Sequence, residues 1–407
     1  MLFLGFIWAI SFEGMAQMPS LSYADSCFRV GAFVESGKTY TRIWETGKTK
    51  DPQVAYKAGV SLARTGQAPL AILMLQHAVD MEIDDAYLSG IRFDPAYNAI
   101  RHTPEWRSFL KNNLGQYDQA AAHISYPALR AELLQLWQAD QYYRALIFGS
   151  YNGRPPNEVG RATEAVDRFN TKRLEQIVDQ IGWPTHKKVG KDGAHAAWNI
   201  VQHAVFNPPF MRRCLDSMKV ALAQQQVDGV DFAFLYDRFQ VLCNFGLQEY
   251  GIVRRVPIRD EHLVDERRKS LGFKTTLAEY LGNYTPRTAS AYAALMDSLK
   301  LRYQNQVALG KQAMQEKDYM TAAKAYGQAM RCNGFIETED IYASARAYGL
   351  LNSPRSAFNV VRRLRVLAGR GFSDIERLEN DPAFTPYKEQ AAWKEIVEIM
   401  RVYNVDE

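Results

Sequence analysis

One four-residue pattern occurs twice in this chain, each time at the same distance from a tryptophan, and nothing else in the sequence restricts the fold so strongly. Asp94-Pro95-Ala96-Tyr97 leads to Trp106, and Asp381-Pro382-Ala383-Phe384 leads to Trp393. Aspartate before proline suits a helix start: the carboxylate accepts from free N–H groups, and proline fills the first helical position. Each copy reads as the terminator of a helical module, with Tyr97 or Phe384 and the following tryptophan as packing anchors. A hairpin module of this type cannot bury its apolar face alone, so stacked helix pairs are expected on both sides of an unrelated middle segment.

A chain of 407 residues divides more naturally into two or three domains than one. Its 47% hydrophobic and 23% charged residues are ordinary for a globular protein. The net charge of +4 is spread along the chain, and doublets such as Lys187-Lys188 and Arg212-Arg213 stand isolated. They read as solvated faces, so no nucleic-acid partner is expected.

The first sixteen residues differ from the rest. Met1 to Ile10 is apolar, and Gly14-Met15-Ala16 offers the small residues that a signal peptidase reads, although no Lys or Arg precedes the apolar run. Residues 1–16 are read as a secretory signal, the mature protein as periplasmic or secreted, and the mature chain as free of membrane spans. Cys27, Cys214, Cys243 and Cys332 are scattered, with no CxxC and no metal-ligand spacing. Cys214 and Cys243 fall on apolar helical faces, where a buried free thiol is usual, and a disulfide between them stays open.

In the carboxyl-terminal module, Leu309-Gly310 sits in a first helix, Tyr319 and Ala322 open a second, and Tyr326 and Ala329 close it. Ala345, Tyr348, Ala357 and Val361 take matching places in the next hairpin, as do Gly59, Leu62, Gly66, Ala71, Leu75 and Ala78 near the amino end. These segments resemble tetratricopeptide repeats, without that family's early tryptophan and closing proline. The resemblance implies stacked antiparallel helices whose surfaces receive a protein partner. The modules are placed at residues 27–115 and 287–407.

Between them, residues 125–285 carry charges where apolar faces are expected. With helical residues spaced about 100° apart, Asp140 and Arg144 fall within the stripe of Leu129, Leu133, Leu136, Trp137 and Ile147. Asp167, Asn170 and Arg173 intrude on the stripe of Val166, Phe169, Leu174, Ile177, Val178 and Ile181. A helix from Ala194 to Phe206 holds no charged residue but carries His195, Asn199, Gln202 and His203, and the apolar stretch Asp231 to Cys243 has only Asp237 and Arg238 inside it. Burying isolated charges costs several kcal/mol each unless they are paired. These residues therefore form either a closed Asp–Arg lattice or a polar pocket, with Arg gripping a small anionic ligand and Asp or His203 moving a proton.

The run Asp140-Gln141-x-x-Arg144, Asp167-x-x-Asn170-x-x-Arg173-Leu174, Gly182-Trp183-Pro184, Trp198, Gln202-His203-Ala204, Asp237-Arg238 and Gln248-x-Tyr250-Gly251 resembles an uncharacterised bacterial domain family. Pro257-Ile258-x-Asp260 and Val264-Asp265-x-Arg267-Arg268 continue it. The resemblance implies a shared fold and no mechanism.

Local motifs for familiar chemistry are missing. His186, His195 and His203 make no HExxH motif, Gly190-Lys191-Asp192-Gly193 is a turn before a helix and not a phosphate loop, and Ser217 and Ser270 lack a nucleophile elbow. No metal and no cofactor are expected. The chain reads as all-α: tetratricopeptide-like hairpins flanking a compact helical middle domain. The favoured function is an exported protein-binding or scaffolding module with a polar pocket. The alternatives are an enzyme of unknown class and a structural envelope component. Candidate catalytic residues are His203, Asp237 and Asp167. Candidate ligand contacts are Asp140, Arg144, Asn170, Arg173, Gln202, Arg238, Gln248 and Tyr250. Mass spectrometry of protein from its native host should find a chain beginning near Gln17; an intact Met1 would rule out the secretory reading.

Overall fold

The computed structural model describes residues 20–47, 49–81, 83, 88, 91–92, 94–121, 123–149, 157–253, 256–282 and 285–404. The expected signal segment, residues 1–16, lies outside the described residues. The fold is all-α and of helical-repeat type. No strand occurs among the described residues, which hold a lone bridge between Gln248 and Ile258. Among them, no helix is long and apolar enough to cross a membrane. The chain forms two compact units: the described residues of Met1–Asp118 with Gln141–Ala162, and those of Gln119–Asp140 with Thr163–Glu407.

In the first unit, helices Leu21–Arg29, Phe33–Glu45, Pro52–Arg64 and Ala68–Asp80 each pack on the next. Asp51 caps the third by accepting from Gln53 N at 2.9 Å, with Pro52 in the first turn. Tyr40, Leu75, Tyr97 and Ile100 lie at the centre of the core. The helices can meet this closely because Gly59 faces Leu75: a β-carbon on Gly59 would lie 2.7 Å from Leu75 Cγ.

The second unit repeats the arrangement with helices Ala289–Gln315, Tyr319–Ala329, Thr338–Leu351 and Pro354–Gly369, again packed in sequence. Here Gly310 supplies the close approach, since a β-carbon on it would lie 2.9 Å from the ring of the fully buried Tyr326. Helices Pro208–Ala223 and Gly229–Cys243 of the middle segment pack on Pro354–Gly369 in the same unit. Polar contacts reinforce that junction: Gly334 N donates to Phe245 O at 2.9 Å, and Arg370 Nη2 to Asn244 O at 2.7 Å. Arg168 pairs with Glu395, and the Tyr403 hydroxyl donates to Glu175.

The two Asp-Pro-Ala-aromatic segments adopt the same local geometry. Each is a 3-10 turn, and the aspartate accepts from the alanine N–H, at 2.7 Å in Asp94 and 2.9 Å in Asp381. Tyr97 stacks on Trp106 with centroids 4.8 Å apart, and Phe384 lies 5.3 Å from Trp393. All four aromatic side chains are buried. The four cysteines are free and buried, so Cys214 and Cys243 form no disulfide. Burial pushes the Cys243 thiol up to about 12, leaving it inert near neutrality.

Gly310→Ala should lower the stability of its unit by about 1–3 kcal/mol, because the added methyl meets an aromatic ring held in a packed core. Gly115→Ala is the control: its added carbon meets no atom within 4 Å, and it should gain about 0.5–1 kcal/mol from helix propensity. Urea unfolding of both variants reads the difference. An unmoved midpoint for Gly310→Ala would contradict the close contact.

Candidate functional site

Three helices of the middle segment, Pro127–Gly149, Asn157–Ile181 and His186–Gln202, bring the strongest site together. On the first, Leu133, Leu136 and Trp137 are buried, and Asp140 extends that face by one turn with its side chain 1% exposed. On the second, the inner face runs through Thr163, Asn170, Thr171, Leu174, Ile177 and Val178, all buried. Phe169, expected on that stripe, is 66% exposed. It sits about 100° around the helix from Asn170, and the polar residue takes the inner position because its amide has a partner there. Asn170 Nδ2 donates to Leu136 O at 2.9 Å and ties the two helices together. Asp167 stands one turn before Asn170 on the same face.

The third helix is interrupted at Gly190, whose φ of 76° belongs to a kink, so the Gly190–Gly193 turn expected before a helix start is present inside the element. The helix stops at Gln202 and not at Phe206. Asn207 caps the next helix by accepting from Phe210 N at 3.2 Å, and the following prolines disfavour helix in the residue before them. His203 is thereby the C-cap residue, and its Nδ1 lies 2.9 Å from Asp140 Oδ1. Asp140, Asp167 and His203 each present a ligand-type atom, all within 4.8 Å of one another. A buried carboxylate fixes the imidazole while the partly exposed ring keeps access to solvent, an arrangement suited to proton transfer or to holding a cation. Arg144 follows Asp140 by one turn on its helix.

The other predicted site residues do different work. Arg238 Nε donates to Gln202 O at 2.7 Å, placing a cation at the carboxyl end of the helix that carries His203. Arg173 turns outward to Glu132, with Nη2 and Oε2 3.0 Å apart, and to Gln176. Asp237 is fully buried, and its carboxylate accepts from the backbone N–H of Glu249 at 2.7 Å, Tyr250 at 3.0 Å and Ile252 at 3.1 Å. Gln248 holds the same loop, its amide reaching Val253 O and Val256 O at 2.7 Å each. Tyr250 O accepts from Arg268, which lies over the Phe273 ring at 4.1 Å. Asp237, Gln248 and Tyr250 thus stitch residues 248–253 and the stretch around Arg268 to Thr275 to the helix Gly229–Cys243, a structural task apart from the Asp140–His203 pair.

Two further constellations escaped the sequence reading. Arg130 grips the buried Asp192 through Nε at 2.9 Å and Nη2, bridging the first and third helices. His195 lies between Asp231, at 3.3 Å from Nδ1, and Asn199, at 2.8 Å from Nε2, while Trp198 donates to Asp231 O at 2.6 Å. Asp192 sits between glycines in a turn-like string, and Asp231 opens its helix, so neither stands out on an apolar stripe. A cavity of about 380 Å³ in the same unit is lined by Trp183, Lys187, Lys188, Ser217 and Gln226 among others, and by none of the predicted site residues.

A family model described as a family of unknown function (DUF6624) matches residues 127–284, so the middle segment is similar to that family. The crystal structure of the yeast Tom70 is similar over 95% of both chains at 11% identity. Its TM-score is 0.15, at which a likeness carries no argument. No curated protein matches the chain.

Burial pushes the Asp237 carboxyl up to about 6, against the pull of its backbone donors. The folded state holds this proton more tightly than the unfolded chain, whose aspartates titrate near about 3.9. This group's stability contribution is therefore complete below about pH 4 and is lost as the pH rises through about 6. The loss amounts to about 3 kcal/mol for two units. A carbon-detected titration of Asp237 should show its midpoint near that value. A midpoint below about 4 would mean that the N–H donors outweigh burial. Asp237→Ala should cost about 3 kcal/mol or more by stranding buried N–H groups, read by thermal unfolding.

Proposed function

We propose that this chain is an exported protein-binding scaffold whose tetratricopeptide-like hairpins hold a partner and whose middle domain carries a polar site around Asp140, Asp167 and His203. One observation carries the reading: two arrays of consecutive packed helices each lead to the same capped, aromatic-anchored terminator. Such arrays form continuous surfaces in which each hairpin contributes one strip. In the first unit, Leu70 and Leu73 are adjacent on the helix Ala68–Asp80 and are 46% and 50% exposed, apolar area that a partner would cover. Cross-linked purification from the native host should recover a stoichiometric partner with the wild-type protein. The pair Leu70→Asp and Leu73→Asp should lose it without a change in thermal stability. Equal recovery by both would remove this face from the reading.

A second reading, an enzyme, is favoured by the Asp140–His203 geometry. A buried carboxylate 2.9 Å from a partly exposed imidazole nitrogen orients the ring, as in general acid–base pairs. His203→Ala would then abolish turnover while leaving partner recovery intact, which separates the two readings.

A further inference from the structure

We propose that Asp140, Asp167 and His203 form a binding site for a divalent transition-metal ion such as Zn²⁺. The donor set is two carboxylates and one imidazole, contributed by two separate helices and by the C-cap of a third. This mixture suits a borderline divalent ion better than the oxygen cage that Ca²⁺ or Mg²⁺ requires.

The spacing fits. Metal–ligand bonds of about 2.1 Å place neighbouring ligand atoms about 3.0 Å apart at a right angle and about 3.4 Å apart at a tetrahedral angle. His203 Nδ1 and Asp140 Oδ1 are already 2.9 Å apart, and the three ligand atoms fall within 4.8 Å of one another. The Asp140 side chain, 1% exposed, sits on the face tied down by the Asn170–Leu136 hydrogen bond, so one ligand is rigidly placed. His203, 18% exposed, leaves the site open to an entering ion.

An independent observation points the same way. One turn beyond Asp167 on the same helical face stand Asn170 and Thr171, 2% and 1% exposed. Asn170 Oδ1 and Thr171 Oγ1 find no hydrogen-bond partner among the protein atoms. Asn170 lies between the helices that carry Asp140 and Asp167, because its amide nitrogen reaches across to Leu136 O. Buried polar atoms left without protein partners are rare, and water held by an ion would satisfy them. An ion with three protein ligands also keeps an open position for water or substrate. The inference is independent of the partner-binding reading, since its test reads an ion and not a captured protein.

The test uses tag-free, full-length protein stripped with a chelator and titrated calorimetrically with Zn²⁺. Uptake of one ion per chain is expected, together with a rise in thermal midpoint, since an ion that binds the folded state stabilises it. Co²⁺ in its place should give a visible absorption band that changes in His203→Ala. His203→Ala and Asp167→Asn should each weaken uptake at least tenfold and remove the metal-dependent rise in midpoint. The midpoint comparison stays readable even if a variant is less stable, and the partly exposed Asp167 makes its asparagine variant the gentler of the two. No uptake by the wild-type protein overturns the site, as does uptake of unchanged affinity in both variants.

Discussion

The middle segment depends on the requirement that every carboxylate removed from water find donors. Asp237 shows it most plainly. Its side chain is fully buried, yet its donors are not the arginines that a charge count suggests but backbone N–H groups of the loop that follows its own helix. That choice of donors sets the path of the chain after Leu247. With the loop gathered at Asp237, Gln248 completes its turn, Tyr250 O receives Arg268, and Arg268 fixes the Phe273 and Thr275 region. A single carboxylate thereby anchors the loop at Glu249, Tyr250 and Ile252, and Arg268 extends that anchorage to Thr275.

The same requirement separates two classes of buried polar residue in this fold. Asp192 and Asp237 have strong donors already: a guanidinium for one and amide groups for the other. Asp140 also lies 2.9 Å from an imidazole, a group that can lose its charge, can take a proton on either nitrogen and can ligate a metal.

Much of the fold was legible in the sequence because its signals are local. Helix periodicity, Asp-Pro caps and the equal step from terminator to tryptophan act within a few turns, so Tyr97 with Trp106 and Phe384 with Trp393 take their expected roles. The inward placement of Asp140 and Asn170 follows from helical angles, and that of Asp237 from a stretch that is apolar all round. What the angles could not assign was the partner. Arg173 lies at the edge of its stripe, and a long side chain at an edge reaches outward to Glu132 as readily as inward. Asp237 and Arg238 neighbour each other in sequence but point to different tasks, as adjacent helical residues must. The cluster of Asp140, Asp167 and His203 leaves no signature in local spacing, because its residues stand on three separate elements.

The packing of Pro354–Gly369 against the middle helices makes sequence kinship and independent folding two different quantities. The stretch that is similar to a known family ends near residue 284, but the surface closing over Cys243, Phe245 and Leu247 comes from residues 331–370. A fragment cut at the kinship boundary would expose a carbonyl that receives Arg370 and an apolar face that meets Gly334 and Gly369. A carboxyl-terminal module in that position is no removable appendage. Arg370 ties it to the end of the helix Gly229–Cys243, and the ion pair of Arg168 with Glu395 ties it to the helix that carries Asp167. That ion pair makes one helix, Asn157–Ile181, answer both to the carboxyl-terminal module and to the neighbours of Asn170.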